Sequence, residues 1–300
     1  MKSENPTSPA FQKGLKAYFL AARPRTWILS LSPVCIGTCM APGPIDFSVF
    51  GLALFFGLFI QIGTNYANDY FDFINGADTS ERIGPPRATA AGWIAPSDML
   101  RATVMVFVVA FLSAIPLMMQ VGLWSIPIAG LCIMFGILYT GGPKPLGYLG
   151  LGEILVLVFF GPVACCGAYF LQTTSLSFAV FIASLAPGFI SMSALVANNL
   201  RDQMGDAKAG KKTLIVRFGR SFGSREYAAC IVIAGLVPAV LVLFCNASWV
   251  SLVPMLVLPA AIPAMRKAFY FHHPRELIAV LQASAFLLFL YTFLFCVTWR

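Results

Sequence analysis

The sequence predicts an all-α protein: a polytopic membrane bundle of nine transmembrane helices, N-terminus cytoplasmic, with two Asp-rich cytoplasmic loops capping a central cavity. Three observations predict it. The 300 residues are 59% hydrophobic and only 11% charged, whereas about a quarter of the residues of a soluble chain are charged. The charges are gathered into clusters separated by six long charge-free runs, 26–45, 47–68, 102–143, 154–200, 227–265 and 277–299. Almost every lysine and arginine falls on one side of a chain threaded nine times through a bilayer.

A membrane helix needs about 20 apolar residues. The third, fourth and fifth runs are long enough for two spans each, and they break near their middles at "MMQVGLW", "LQTTSLS" and "FCNASWV", where small and amide residues mark turns. The spans are therefore expected at 27–43, 47–67, 103–120, 124–141, 152–171, 178–197, 228–245, 249–265 and 278–298. Threaded alternately, these place Lys2, Lys13, Lys16, Arg23, Arg25, Arg82, Arg87, Arg101, Lys144 and the basic residues of 201–225 and 266–275 on one side, and Arg300 alone on the other. Positive loops stay cytoplasmic, so the amino terminus is expected inside and the carboxyl terminus outside. One span more or fewer would scatter the basic residues over both faces.

Residues 1–300 are expected to form a single transmembrane domain in the cell (inner) membrane, with 1–22 a polar N-terminal tail and interfacial segment. "MKSENPTSPAFQKGLKAYFL" lacks the continuous apolar core and cleavage site of a signal peptide. The net charge of +8 suits an inner face touching anionic membrane lipid and calls for no nucleic acid. All eight cysteines lie inside the charge-free runs without a Cys-x-x-Cys pair, the pattern of small packing residues.

Two acidic groups carry the chemistry. Asn65, Asn68, Asp69 and Asp72, in "NYANDYFDF", recur at three- and four-residue steps and share one helical stripe. In "NNLRDQMGD", Asn198 or Asn199, Asp202 and Asp206 do the same. Both groups follow an even-numbered span and open toward the same compartment. Carboxylates stacked on one helix repel, and hard oxygen ligands of this kind suit magnesium, which takes one or two protein carboxylates together with phosphate oxygens. Two such groups facing one another make a site for a metal-bridged diphosphate. Charges at helix ends often do no more than mark the interface, and intramembrane carboxylates also carry ions in transporters; a transporter's coupling site, however, belongs near mid-bilayer. Arg82, Arg87, Lys144, Arg201, Lys208, Lys211 and Lys212 lie in the same inner loops or between them, as cations able to offset diphosphate charge. Loops 69–101 and 201–226 are long for a helical bundle and suit lids.

"ARPRTW", "NDYFDFINGAD", "YTGGPKPLGYLGLGE" and "NNLRDQMGDAKAGKKTLIVRFG" together resemble the UbiA superfamily of membrane prenyltransferases, most closely its 1,4-dihydroxy-2-naphthoate branch in menaquinone synthesis. The resemblance implies a nine-helix fold. It also implies that Mg holds an allylic polyprenyl diphosphate between two Asp motifs, and that the ionised prenyl group is captured by an electron-rich ring such as 1,4-dihydroxy-2-naphthoate or, in a neighbouring branch, 4-hydroxybenzoate. Carried onto this chain, it makes Asp69, Asp72, Asp202 and Asp206 the metal ligands. Asn65, Asn68, Arg82, Arg87, Lys144, Asn199, Arg201, Lys208 and Lys211 are the residues expected to bind the diphosphate, and Tyr139 or a nearby Phe is the ring expected to stabilise the allylic cation, although a tyrosine at this depth also suits the interfacial belt. Gly76 stands where the wider superfamily carries a further Asp, with Asp78 the nearest substitute. A cation, Arg25 or Arg87, is expected to meet the naphthoate carboxylate, whose carbon dioxide is lost on attachment.

Overall fold

The structure, a computed structural model, describes residues 14–78 and 83–299. The regular elements of the described residues are all helices, without strands. A short helix α1 (Leu15–Ala21) buries Ala17 and Ala21 and exposes Leu15 and Phe19. Then come α2 (Trp27–Cys39), α3 (Phe47–Ile74), α4 (Pro96–Val121), α5 (Ile126–Leu138), α6 (Gly152–Val158), α7 (Ala164–Thr173), α8 (Phe178–Lys208), α9 (Leu214–Phe218), α10 (Arg220–Phe244), α11 (Val257–Tyr270) and α12 (Leu277–Thr298).

Seven helical segments among the described residues are long and apolar enough to cross a membrane: Phe47–Ile74, Pro96–Val121, Gly152–Thr173, Phe178–Lys208, Arg220–Phe244, Trp249–Tyr270 and Pro274–Thr298. Each coincides with an expected span. The other two expected spans are α2 and α5, helices of 13 residues. At 1.5 Å per residue they reach about 20 Å, short of a hydrocarbon core of about 30 Å.

Local chemistry explains the ends that matter. The Asp46 carboxylate accepts from the Ser48 and Val49 amides at 2.9 and 3.1 Å and starts α3; the Ser177 hydroxyl accepts from the Val180 amide at the start of α8. Both helices run beyond their expected limits. α3 continues to Ile74, and Gly76 ends it at φ 68, the left-handed conformation that glycine adopts without strain after a helix. That role explains why glycine stands where an acid was weighed. α8 continues to Lys208, so the expected loop 201–226 is mostly helix: the end of α8, then α9, then the start of α10. The four aspartates are consequently helix-borne rather than carried on loops.

α8 is the axis of the bundle. Small residues along it, Ala183, Ala186, Ala197 and Ser193, let Tyr227 and Ile231 of α10 and Leu287, Leu288 and Tyr291 of α12 approach closely, and all of these are buried. Between α6 and α7 the chain makes a π turn, Phe159–Val163, where Pro162 cannot donate to the helical ladder. The kink is seated on α8: a Cβ on Gly188 would lie 2.8 Å from the Leu157 carbonyl oxygen and 3.2 Å from the Gly161 Cα. Backbones this close need glycine, the small-residue packing of membrane helices. All eight cysteines are free thiols.

Candidate active site

The ends of α3 and α8 meet at one ammonium. Lys211, just past α8, places its Nζ 3.3 Å from Asp72 Oδ1 and 3.6 Å from Asp206 Oδ1. A carboxylate of each acidic group thus shares a single cation. Asp72 has further partners. Its other oxygen lies 3.1 Å from Arg87, and the Tyr148 hydroxyl donates to Oδ1 at 2.7 Å. Burial, and then the Asp72 charge, push the Tyr148 hydroxyl pKa well above its ordinary value. Lys211 also lies over the Tyr148 ring, 4.5 Å from its centre, a cation–π contact. Tyr148 was not singled out from the sequence, although it stands inside the quoted "YTGGPKPLGYLGLGE"; a tyrosine among glycines carries no sign of its partner.

Asp69, expected as a metal ligand, has contacts of its own. It is buried, and its two oxygens accept the backbone amides of Ala88 and Thr89 at 2.9 and 2.8 Å. One helical turn before Asp72, this carboxylate ties down the loop that carries Arg87. Arg87 reaches Asp78 as well, at 3.5 Å. On α8, Arg201 grips Asp202 with two nitrogens, at 2.8 and 2.6 Å, and donates to Asn198 Oδ1 at 2.6 Å. The backbone at Gly84 lies against the same guanidinium, so the loop after α3 reaches α8.

The amides divide their tasks. Asn68 accepts from the Thr140 hydroxyl at 2.7 Å and lines a cavity inside the bundle. Asn65 lines it too, while its amide nitrogen donates to the Ala22 carbonyl and the Thr26 hydroxyl. Of the two adjacent asparagines on α8, Asn198 lines the cavity, whereas Asn199 donates to Glu153, a buried carboxylate at the start of α6, at 2.9 Å. The sequence pattern offers no sign of that pair. Lys144 and Lys208 are exposed on the surface of the same end. Arg82 lies outside the described residues.

The cavity has a volume of about 370 Å³, within the usual size of small-molecule sites. Its polar end holds Arg23, Arg25, Asn65, Asn68 and Asn198; farther in, the wall is apolar and aromatic, with Phe135, Phe159 and Phe160. Tyr139 is part of the same wall.

The donor set fits a hard divalent cation. Among the described residues no group of three or more acidic, histidine or cysteine side chains is placed to hold a metal unaided. However, Asp72 and Asp206 already share a cation between them, and magnesium asks for only one or two carboxylates when phosphate oxygens complete its shell.

Residues 30–293 match the UbiA prenyltransferase family. The chain belongs to that family. It is 38% identical over 264 residues to a 1,4-dihydroxy-2-naphthoate octaprenyltransferase of Mycobacterium tuberculosis, covering 87% of this chain and 89% of that protein. It is 37% identical to the enzyme of the same name from Escherichia coli, covering 74% of each. Among solved structures, a UbiA homologue from Archaeoglobus fulgidus bound to GPP and Mg2+ shares the fold, with a TM-score of 0.63 at 15% identity over 93% of this chain and 99% of that one. The protein is thus an integral membrane prenyltransferase.

Proposed function

We propose that the protein transfers a polyprenyl group from an allylic polyprenyl diphosphate to 1,4-dihydroxy-2-naphthoate, yielding demethylmenaquinol, the reduced form of demethylmenaquinone, with diphosphate and carbon dioxide. The observation that carries this reading is the Lys211 ammonium shared by Asp72 and Asp206. It supports a site where two acidic groups and added cations enclose a diphosphate. The relatives' activity toward the naphthoate supports the acceptor.

Asp72 and Asp206, with Asp202 beside them, would hold magnesium, which when bound supplies charge to stabilise the departing diphosphate. The chain's own groups do the rest. Arg87 and Lys211 stand ready at Asp72 as cations for phosphate oxygens, and the Tyr148 hydroxyl is a further donor. Asp69 holds the Arg87 loop in place, so these charges are set before the substrate arrives. The apolar cavity excludes water from the allylic cation, and the Tyr139 ring offers it a π face. The prenyl tail lies along the phenylalanine-lined wall, where each buried methylene contributes about 0.8 kcal/mol. In this reading the chain is one transmembrane domain that crosses the inner membrane nine times, α2 and α5 included, with the amino terminus and the site facing the cytoplasm.

The test is direct. Purified protein is incubated with magnesium, one polyprenyl diphosphate and a panel of aromatic acids, and products are identified by mass. Prenylated product from the naphthoate, lost when a chelator is added, is the expected result. Product from 4-hydroxybenzoate alone would move the protein to a different acceptor branch, and turnover in excess chelator would remove the metal from the mechanism.

A further inference from the structure

The end of the bundle opposite the acidic groups carries a cluster of thiols. α3 starts at Phe47 and bears Asp72 near its other end, about 40 Å away along the helix axis. Cys39, the last residue of α2, lies just before that start. Cys296, in the last turn of α12, comes from the far end of the chain, 257 residues on. The two meet. The Cys39 thiol donates to the Cys296 carbonyl at 3.4 Å, and the two side chains also hydrogen-bond to one another. Both are half-buried and stand at helix ends, where the chain leaves the apolar zone.

The neighbouring thiols are placed differently. Cys35 sits one helical turn deeper in α2, and Cys165 is fully buried on α7, its carbonyl against Gly37. Among the described residues no three cysteines are placed to hold a metal, so the chemistry open to Cys39 and Cys296 is that of a pair. Two thiols in contact on packed helices meet the first demand of a disulfide, side chains directed at one another. A bond between them would close a loop of almost the whole chain, and the loss of freedom in the unfolded state grows with loop length. It would also join two walls of the cavity, since α2 contributes Leu29, Ser30 and Val34 to the lining and α12 contributes Leu281 and Ala285.

We propose that Cys39 and Cys296 form a reversible disulfide that ties the outer end of α2 to that of α12 and braces this side of the cavity. The proposal rests on the topology given above, in which both helices end outside the cytoplasm, where disulfides persist. The step is thiol–disulfide exchange with a protein or small-molecule disulfide: one thiolate attacks a sulfur of that disulfide, and the other cysteine then attacks the mixed disulfide. Two S–H bonds break and one Sγ–Sγ bond forms. The two protons and two electrons leave on the incoming disulfide, which becomes two thiols. Reduction by a dithiol runs the exchange backwards.

The test uses the full chain purified in detergent, treated with oxidised or reduced glutathione, quenched with N-ethylmaleimide and mapped by mass after proteolysis. The expected result after oxidation is a fragment joining Cys39 to Cys296, two hydrogens lighter than its separate halves, that accounts for most of both cysteines and vanishes on reduction. Cys39→Ser should abolish it and leave Cys296 carrying glutathione. Oxidised wild type should melt several degrees above the reduced form, whereas Cys39→Ser should melt alike under both conditions. The proposal is overturned if both cysteines stay open to N-ethylmaleimide after oxidation or if the cross-link joins another pair, such as Cys35 and Cys296. A cross-link that leaves the melting temperature unmoved would remove the bracing role. The topology is tested separately, with a membrane-impermeant maleimide on reduced, intact cells expressing the protein, which should label Cys39. A cross-link in detergent with labelling only in opened cells would overturn the topology and leave the chemistry of the pair standing.

Discussion

Asp69→Asn separates two roles for the first aspartate. Both carboxylate oxygens accept backbone amides, from Ala88 at 2.9 Å and Thr89 at 2.8 Å, and the side chain is 2% exposed. A hydrogen bond to a charged group contributes about 1.5–3 kcal/mol, and a buried donor left without a partner costs about 1–3 kcal/mol. The asparagine keeps one acceptor, so one bond is lost and a side-chain N–H faces a backbone N–H. The loop should loosen by about 3 kcal/mol, a change of about 100-fold in its opening equilibrium. Hydrogen exchange followed by mass spectrometry reads this directly: peptides containing Ala88 and Thr89 should exchange about 100-fold faster, while those from the middle of α3 keep their protection. Trypsin cleavage after Arg87 should accelerate in parallel. If Asp69 instead acts as a metal ligand, exchange stays at the wild-type rate and only magnesium dependence shifts; that outcome would falsify the anchoring role.

Other consequences can be checked in the same preparation. Asp72→Asn weakens the group that Arg87, Lys211 and Tyr148 all address, and Asp202→Asn weakens the partner of Arg201; each should lower turnover by two or more orders of magnitude with the protein still inserted, as measured by product formed per purified protein. Gly188→Leu forces a side chain into the Leu157 carbonyl and the π turn, so it should destabilise the bundle by about 3 kcal/mol or more, seen as a lower melting temperature in detergent. For Tyr148 the folded pKa is raised, so its contribution to stability is complete below the unfolded value of about 10 and is lost as pH climbs above it. Tyr148→Phe should flatten that alkaline decline in thermal unfolding curves recorded at increasing pH.

The helix positions were legible because the charges that punctuate the chain also mark where it leaves an apolar environment. The ends of α3 and α8 were less so: the steps from Asn65 to Asp72 and from Asn198 to Asp206 are helical, yet the apolar run stops earlier, and hydropathy reports the solvent rather than the backbone. The partner of each carboxylate was beyond reach for a different reason. Asp69 binds amides of Ala88 and Thr89, and every residue other than proline presents an amide, so no residue type could announce the contact. Arg87 looked equivalent to Arg25 as a cation, and only the fold shows that one is held by carboxylates while the other lines the cavity. The choice between Asn198 and Asn199 turned on about 100° of helix rotation, finer than a three- or four-residue pattern resolves.

The ammonium between Asp72 and Asp206 has a thermodynamic consequence. A cluster that already contains its own counter-ion admits a divalent ion by exchange, gaining only the difference between two attractions and having to find a new berth for the displaced lysine. An incoming diphosphate offers that berth, so metal and phosphate should each enter more readily in the other's company. In the proposed reaction Lys211 would be free to return once the phosphate departs, which would give the resting protein a way to clear its own site.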